Sequence, residues 1–115
     1  IKSTDLDKIT FEDFSKIDFR VGTIIAVEAF TEAIKPAYKL KIDFGDLGVL
    51  NSSAQITYRY SENDLLNRQV IAVVNFPKKQ IANFMSECLV LGAVNENDVI
   101  LISPDDAVKN GLKIH

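Results

Sequence analysis

With 115 residues, 47% of them hydrophobic and 25% charged, the chain has the make-up of an ordinary soluble globular protein, read here as one domain over residues 1–115. A net charge of −3 argues against a strongly basic nucleic-acid binder, and a lone cysteine rules out an intramolecular disulfide. Nothing approaches the roughly 18 apolar residues of a membrane span or the core of a signal peptide, so the expectation is a cytoplasmic protein with no membrane insertion.

Residues Ile1 to Ile9 mix charged and small polar side chains and predict a mobile start. Thr10 then caps a short helix. Its first turn carries Glu12 and Asp13, and Phe11, Phe14 and Ile17 recur at helical spacing. From Asp18 the period changes to two: Phe19, Val21, Thr23, Ile25 and Val27 alternate with Arg20, Gly22, Ile24 and Ala26, which predicts a long strand with a bulge or bend at Gly22. After a loop over 31–36, Tyr38, Leu40, Ile42 and Phe44 face one way and Lys39, Lys41 and Asp43 the other, as on a half-buried antiparallel strand. A turn at Gly45 to Gly48 leads into a third strand, which Asn51-Ser52-Ser53 is expected to end.

Ala54 to Tyr60 reads as a short helix, and Ser61 with Asp64 three residues on is a cleaner helix start. Val70 to Val74 is a β-branched run closed by Asn75-Phe76-Pro77, the mark of a buried strand, and Leu89-Val90-Leu91 is a second. Between them a loop presents Lys78, Lys79, Gln80, Asn83 and Phe84. The polar turn 95–98 precedes a fifth apolar run, Val99 to Ile102, and Asn110-Gly111 marks a turn in the tail, before Leu112 and Ile114. Periodicity leaves sandwich and barrel nearly even. The helix midway between the third and fourth strands favours an all-β, five-stranded OB-fold barrel with N- and C-terminal extensions.

Segments in order along the chain resemble one family: Phe11-Glu12-Asp13-Phe14, Asp18 to Ile24, Leu40 to Gly45, Ser52 to Thr57, Val70 to Pro77, and Ser86-Glu87 with Leu89 to Gly92. They are similar to the tRNA-binding-domain family, and within it to the export-chaperone branch of the CsaA type. The resemblance implies an OB barrel, a homodimer built from the terminal extensions, binding of tRNA, and binding of unfolded preproteins destined for secretion. Two departures, Met85 and Tyr58 where the family usually or often carries a basic residue, remove positive charge. Those two departures count against tRNA, and Ser86-Glu87-Cys88-Leu89, where the synthetase-type domains run Ser-x-Gly-Met, favours the chaperone branch. The alternative is a dimeric polypeptide-binding secretion chaperone with no physiological tRNA ligand.

The residues offer both ligands something. Lys39, Lys41, Arg59, Lys78 and Lys79, with Asn75 and Ser86, form the candidate nucleic-acid surface, supported by Lys35 and by Tyr58, Phe76 and Phe84 as stacking platforms. The bland reading is a set of lysines solvating outer strand faces. Four phosphates neutralised would give log K a slope of about −3 to −4 against log salt. Ser52, Ser53, Gln55 and Asn75, with Phe76, Phe84 and Met85, form the candidate polypeptide surface, although such polar groups more often satisfy neighbouring backbone. Glu87 is expected to pair with Arg20 or Arg59, and Cys88 to be a buried, inert thiol. His115 is the only histidine, and no nucleophile stands beside a base. The expectation is therefore a binding module without cofactor or metal, not an enzyme.

Overall fold

A computed structural model describes residues 7–115, so the first six residues of the expected mobile start lie outside the described part. Helix α1, Phe11–Ser15, begins where the Asp13 amide donates to Thr10 Oγ1 at 3.0 Å and the Asp13 carboxylate answers the Thr10 amide at 3.5 Å. Strand β1, Phe19–Ala29, is central, flanked by β2, Tyr38–Asp43, and then β3, Val49–Ala54. On its other side lies β4, Gln69–Val73, which pairs with β7, Leu89–Val90. All these pairings are antiparallel, in the order β3-β2-β1-β4-β7.

The sheet curls until its ends nearly meet. The Glu87 amide donates to Asn51 O at 2.8 Å, the Asn51 amide to Glu87 Oε1 at 2.9 Å, and the Ser53 amide to Ser86 Oγ at 3.1 Å. Inside this barrel Ile24, Leu40, Ile42, Phe44 and Val70 are fully buried. Helix α2, Glu62–Leu65, sits between β3 and β4 as expected, capped by Ser61 and Asp64, and pushes Leu65 into the same core. The architecture is an all-β OB-fold barrel.

Four local expectations are corrected. The bulge falls at Ile25, because the register runs Ile24↔Ile42 and then Ala26↔Lys41, which throws Ile25 outward. Gly22 serves close approach instead: a Cβ there would lie 2.6 Å from Ile42 Cγ2 and 2.7 Å from the Phe44 ring. Strand β3 runs through Asn51, Ser52 and Ser53 to Ala54, since Asn51, Ser52 and Ser53 pair with Lys41, Leu40 and Lys39. Ala54 to Tyr60 is therefore strand end and turn, with one bond from the Tyr60 amide to Ile56 O at 3.3 Å, and both side chains are buried. The expected loop beyond Pro77 is a hairpin, β5 (Lys79–Ile81) against β6 (Phe84–Ser86), with a two-residue turn and Ala82 at φ +51°.

A second hairpin, β8 (Gly92–Asn95) with β9 (Asp98–Leu101), confirms the polar turn at 95–98. The tail then returns to its own barrel. Strand β10, Lys113–Ile114, pairs with Phe19 and Arg20, and Asn110 Oδ1 accepts from Thr23 Oγ1 at 2.7 Å. Gln69 grips Val108 through both ends of its amide, at 2.7 and 3.0 Å. The backbone of the buried Val21 is bonded by this return, its amide donating to Leu112 O at 3.0 Å and its carbonyl accepting from the Gly111 amide at 2.7 Å. No described helix is long and apolar enough to cross a membrane.

Candidate ligand-binding site

The β5–β6 hairpin stands against the outer edge of β3, and grooves lie along it. The first, about 600 Å³, is walled by Phe76, Pro77, Lys78 and Lys79 on one arm and by Ser86, Glu87 and Leu89 on the other. Pro77 fixes one backbone dihedral at its entrance, and Phe76, 54% exposed, offers an open ring. The second groove, about 430 Å³, runs between the 32–37 loop and the hairpin tip at Ile81 and Ala82, with Ser53 and Gln55 lining it. A smaller one of about 310 Å³ gathers Lys39, Lys41, Asn51 and Phe84 on the outer face of β2. Of the sequence-predicted residues, Phe76, Lys78, Lys79 and Ser86 thus line the first groove, Ser53 and Gln55 the second, and Lys39, Lys41 and Phe84 the third, while Ser52, Arg59, Asn75 and Met85 line none of the three.

Several are committed elsewhere. Ser52 is 1% exposed and donates its hydroxyl to Cys88 O at 3.0 Å, so no polypeptide reaches it. Ser86 Oγ holds the Ser53 amide, closing the barrel. Asn75 accepts from the Asp18 amide at 2.9 Å and donates to Lys16 O at 2.7 Å, stapling the end of α1 to the end of β4. These are the backbone-satisfying roles such groups usually fill.

Three of the five candidate cations are occupied as well. Lys39 Nζ lies 3.6 Å from Glu32 and 4.9 Å from the centre of the Phe30 ring, with Phe84 beyond at 5.7 Å, and its side chain is only 18% exposed. Arg59 grips Asp98 with two bonds, 2.7 and 2.8 Å, which raises the guanidinium pKa and lowers that of Asp98. Lys78 Nζ lies 3.6 Å from Glu87 Oε2, so Glu87 pairs there and not with Arg20 or Arg59. Arg20 holds Asp18 at 2.6 Å and donates to Gly111 O at 3.0 Å. Among the described residues, Lys41 and Lys79 pair with no carboxylate, although Lys41 touches Asn51 Oδ1 at 3.3 Å.

Sequence reasoning missed the anchor of the hairpin. Phe84 meets Phe30 edge-on at 5.5 Å, and Asn83 Nδ2 donates to Glu32 at 3.3 Å. Glu32's carboxyl lies below its ordinary value, first through a hydrogen bond from its own backbone amide and next through Asn83. It also treated Leu89 as core, whereas Leu89 is exposed in the groove wall. Cys88 is the buried thiol expected, with its pKa pushed up to about 12 by desolvation. Among the described residues no three His, Cys, Asp or Glu side chains gather as metal ligands.

The family described as "Putative tRNA binding domain" matches residues 19–113. The chain is 37% identical over 109 residues to the methionine–tRNA ligase of Thermococcus onnurineus, and 38% over 106 residues to that of Pyrococcus abyssi. Those matches take in 95% and 92% of this chain but only 15% and 14% of the ligases. Among solved structures, the chaperone CsaA of Bacillus anthracis superposes with a TM-score of 0.91 at 51% identity, covering 95% of this chain and 100% of that one. The CsaA chaperone protein of Picrophilus torridus gives 0.89 at 60% identity, covering 94% and 100%.

Proposed function

Since the chain belongs to the tRNA-binding-domain family, we propose that it is a CsaA-type module that binds tRNA, also holds unfolded or export-destined polypeptide, and carries out no chemistry of its own. The observation that carries the reading is the first groove. There the exposed Phe76 ring and Leu89 lie beside Lys79, a cation with no carboxylate on it. Aromatic and aliphatic walls suit splayed bases or apolar side chains, and the rim cation suits phosphate. Lys41 supplies a second free cation on the outer face of β2.

We propose a homodimer as well. Phe11 is 77% exposed, Ile9, Ile17 and Leu112 are exposed too, and the Phe11, Phe14 and Phe19 rings follow one another at 6.1 and 5.7 Å. An apolar strip of that kind is what an isologous contact covers. The return of 108–114 onto its own barrel leaves α1 as the larger contribution.

The second reading, a polypeptide-binding secretion chaperone without a tRNA ligand, is favoured by the ion pairs. Lys39, Arg59 and Lys78 each face a carboxylate. Among the described residues Lys35, Lys41 and Lys79 are the candidate cations in no ion pair, and three such cations give log K a slope of about −2.1 to −2.7 per protomer, short of the four-phosphate expectation. The test is binding of total tRNA and of an unfolded model protein between 50 and 200 mM salt, for the wild type, Lys79→Glu, and Phe76→Ala with Leu89→Ser. Lys79→Glu should weaken tRNA and spare the polypeptide; the apolar double variant should weaken the polypeptide. No tRNA binding at the lowest salt leaves the second reading standing, and indifference of both ligands to both variants removes the groove.

A further inference from the structure

Glu87 is the most firmly fixed charge in the first groove. Its amide donates to Asn51 O at 2.8 Å while its Oε1 accepts from the Asn51 amide at 2.9 Å, so backbone and side chain grip the same residue of β3. The second oxygen faces Lys78 at 3.6 Å. The carboxylate is 21% exposed and the lysine 68%. Lys78 can swing into solvent; Glu87 cannot leave without opening the seam that closes the barrel. An exposed ion pair of this length holds its lysine weakly, and that weakness does not free Lys78 for phosphate. A phosphate drawn to Lys78 would arrive beside a carboxylate that stays where it is.

We infer that Glu87 is the specificity-determining residue of this groove: its fixed carboxylate cancels Lys78 as a phosphate site and biases the groove towards uncharged or mixed-charge polypeptide. The inference rests on the ligand-binding reading of that groove, and it assigns the two adjacent lysines opposite roles. Lys79 serves polyanions, and Lys78 does not until Glu87 is neutralised. Glu87 acts here through charge and position, and its removal should admit nucleic acid more readily.

The test uses the full chain with two probes, short-chain inorganic polyphosphate and total tRNA, at 50 and 200 mM salt. Glu87→Gln keeps an amide oxygen for the Asn51 N–H and removes the charge. It should bind polyphosphate several-fold more tightly at 50 mM, with a log–log slope steeper by about 0.7–0.9 for the one lysine released. That added slope shrinks its advantage about 2.6- to 3.5-fold by 200 mM. The gain should vanish when Lys78→Ala is added. Removing both members of the pair, in Lys78→Gln with Glu87→Gln, should leave polyphosphate binding at the native level, whereas Lys79→Gln alone weakens it. A loss in that double variant as large as in Lys79→Gln overturns the inference, as does a gain in Glu87→Gln that survives Lys78→Ala. If the polyphosphate results hold and tRNA binds neither wild type nor Glu87→Gln, the role of Glu87 stands and the tRNA reading falls.

Discussion

Asn75 separates a structural reading from a ligand-binding one. It precedes Phe76, the first residue of the groove wall, and its amide makes two bonds that bridge 57 and 59 residues of sequence, to Asp18 N and Lys16 O. Asn75→Ala deletes both. A net contribution of about 0.5–1.5 kcal/mol for each predicts a loss of about 1–3 kcal/mol. With a urea slope of about 1–3 kcal/mol/M, the unfolding midpoint should fall by about 1 M with the slope unchanged. Asn75→Asp keeps an acceptor for the Asp18 amide and loses the donor to Lys16 O, so its midpoint should fall between the other two. Hydrogen exchange should show the same ranking at Ile17 and Val74, whose amides bond to Phe14 O and Asp18 O beside the staple. Affinity for tRNA or polypeptide, measured well below the unfolding transition, should change little. A variant as stable as the wild type that loses either ligand would refute the staple and make Asn75 a contact residue.

Gly22→Ala should cost about 1–3 kcal/mol by urea denaturation, because the added methyl meets Ile42 and the Phe44 ring at the barrel centre, where neither can move aside; a neutral result would mean that β1 shifts outward freely. The Cys88 thiol should resist a thiol-directed reagent at pH 8 in the native state and react on unfolding. Its folded pKa is raised from 9.0 to about 12, so its contribution to stability is present below about pH 9 and is lost as pH climbs towards about 12, by at most about 1.4 kcal/mol per unit. Comparing the pH slope of stability with that of Cys88→Ala isolates it. Phe11→Ser should leave monomer stability within about 0.5 kcal/mol, since the ring is mostly exposed, yet shift sedimentation towards monomer.

The parts of the fold that were legible carry their signal locally. Alternation over Tyr38 to Phe44 places Leu40, Ile42 and Phe44 in the core because a strand's period of two is a property of the strand alone. The caps at Thr10 and Ser61 span only four residues each. The bulge at Ile25 was not legible, since which strand residue is left over is decided by the register with β2 and not by β1. Gly22 misled for the same reason: the partner that needs the space is Phe44, 22 residues on. Hairpin β5–β6 has three residues per arm and mixed polarity, too little pattern to register as strand. It is held by Phe30, Glu32 and Ser53, which belong to other elements.

The candidate site was harder to read than the fold because a sequence shows how many charges there are but not how they pair. Thirteen basic and sixteen acidic residues allow many pairings, and those realised depend on topology. Arg59 meets Asp98 only because the turn after β3 and the β8–β9 hairpin come together at one end of the barrel. Lys78 meets Glu87 because the register Lys79↔Ser86 places their neighbours opposite one another, so this pair becomes readable once the hairpin is recognised. Lys39 lies under aromatic rings from the β1 end and from β6. Each pairing subtracts a cation from the surface the sequence suggested, and the apolar walls at Phe76 and Leu89 remain. The Asn-Phe-Pro tripeptide links that wall to the rest of the molecule: Asn75 fixes α1, and the next side chain is the exposed ring of the groove. The apolar strip on α1 is thus tied to the segment that leads into the groove by the Asn75 side chain alone, while Phe76 and the groove wall take no part in that bond. Loosening α1 at Asn75 should therefore lower stability and leave the groove as it is, and ligand affinities of variants in the two regions are compared at equal stability.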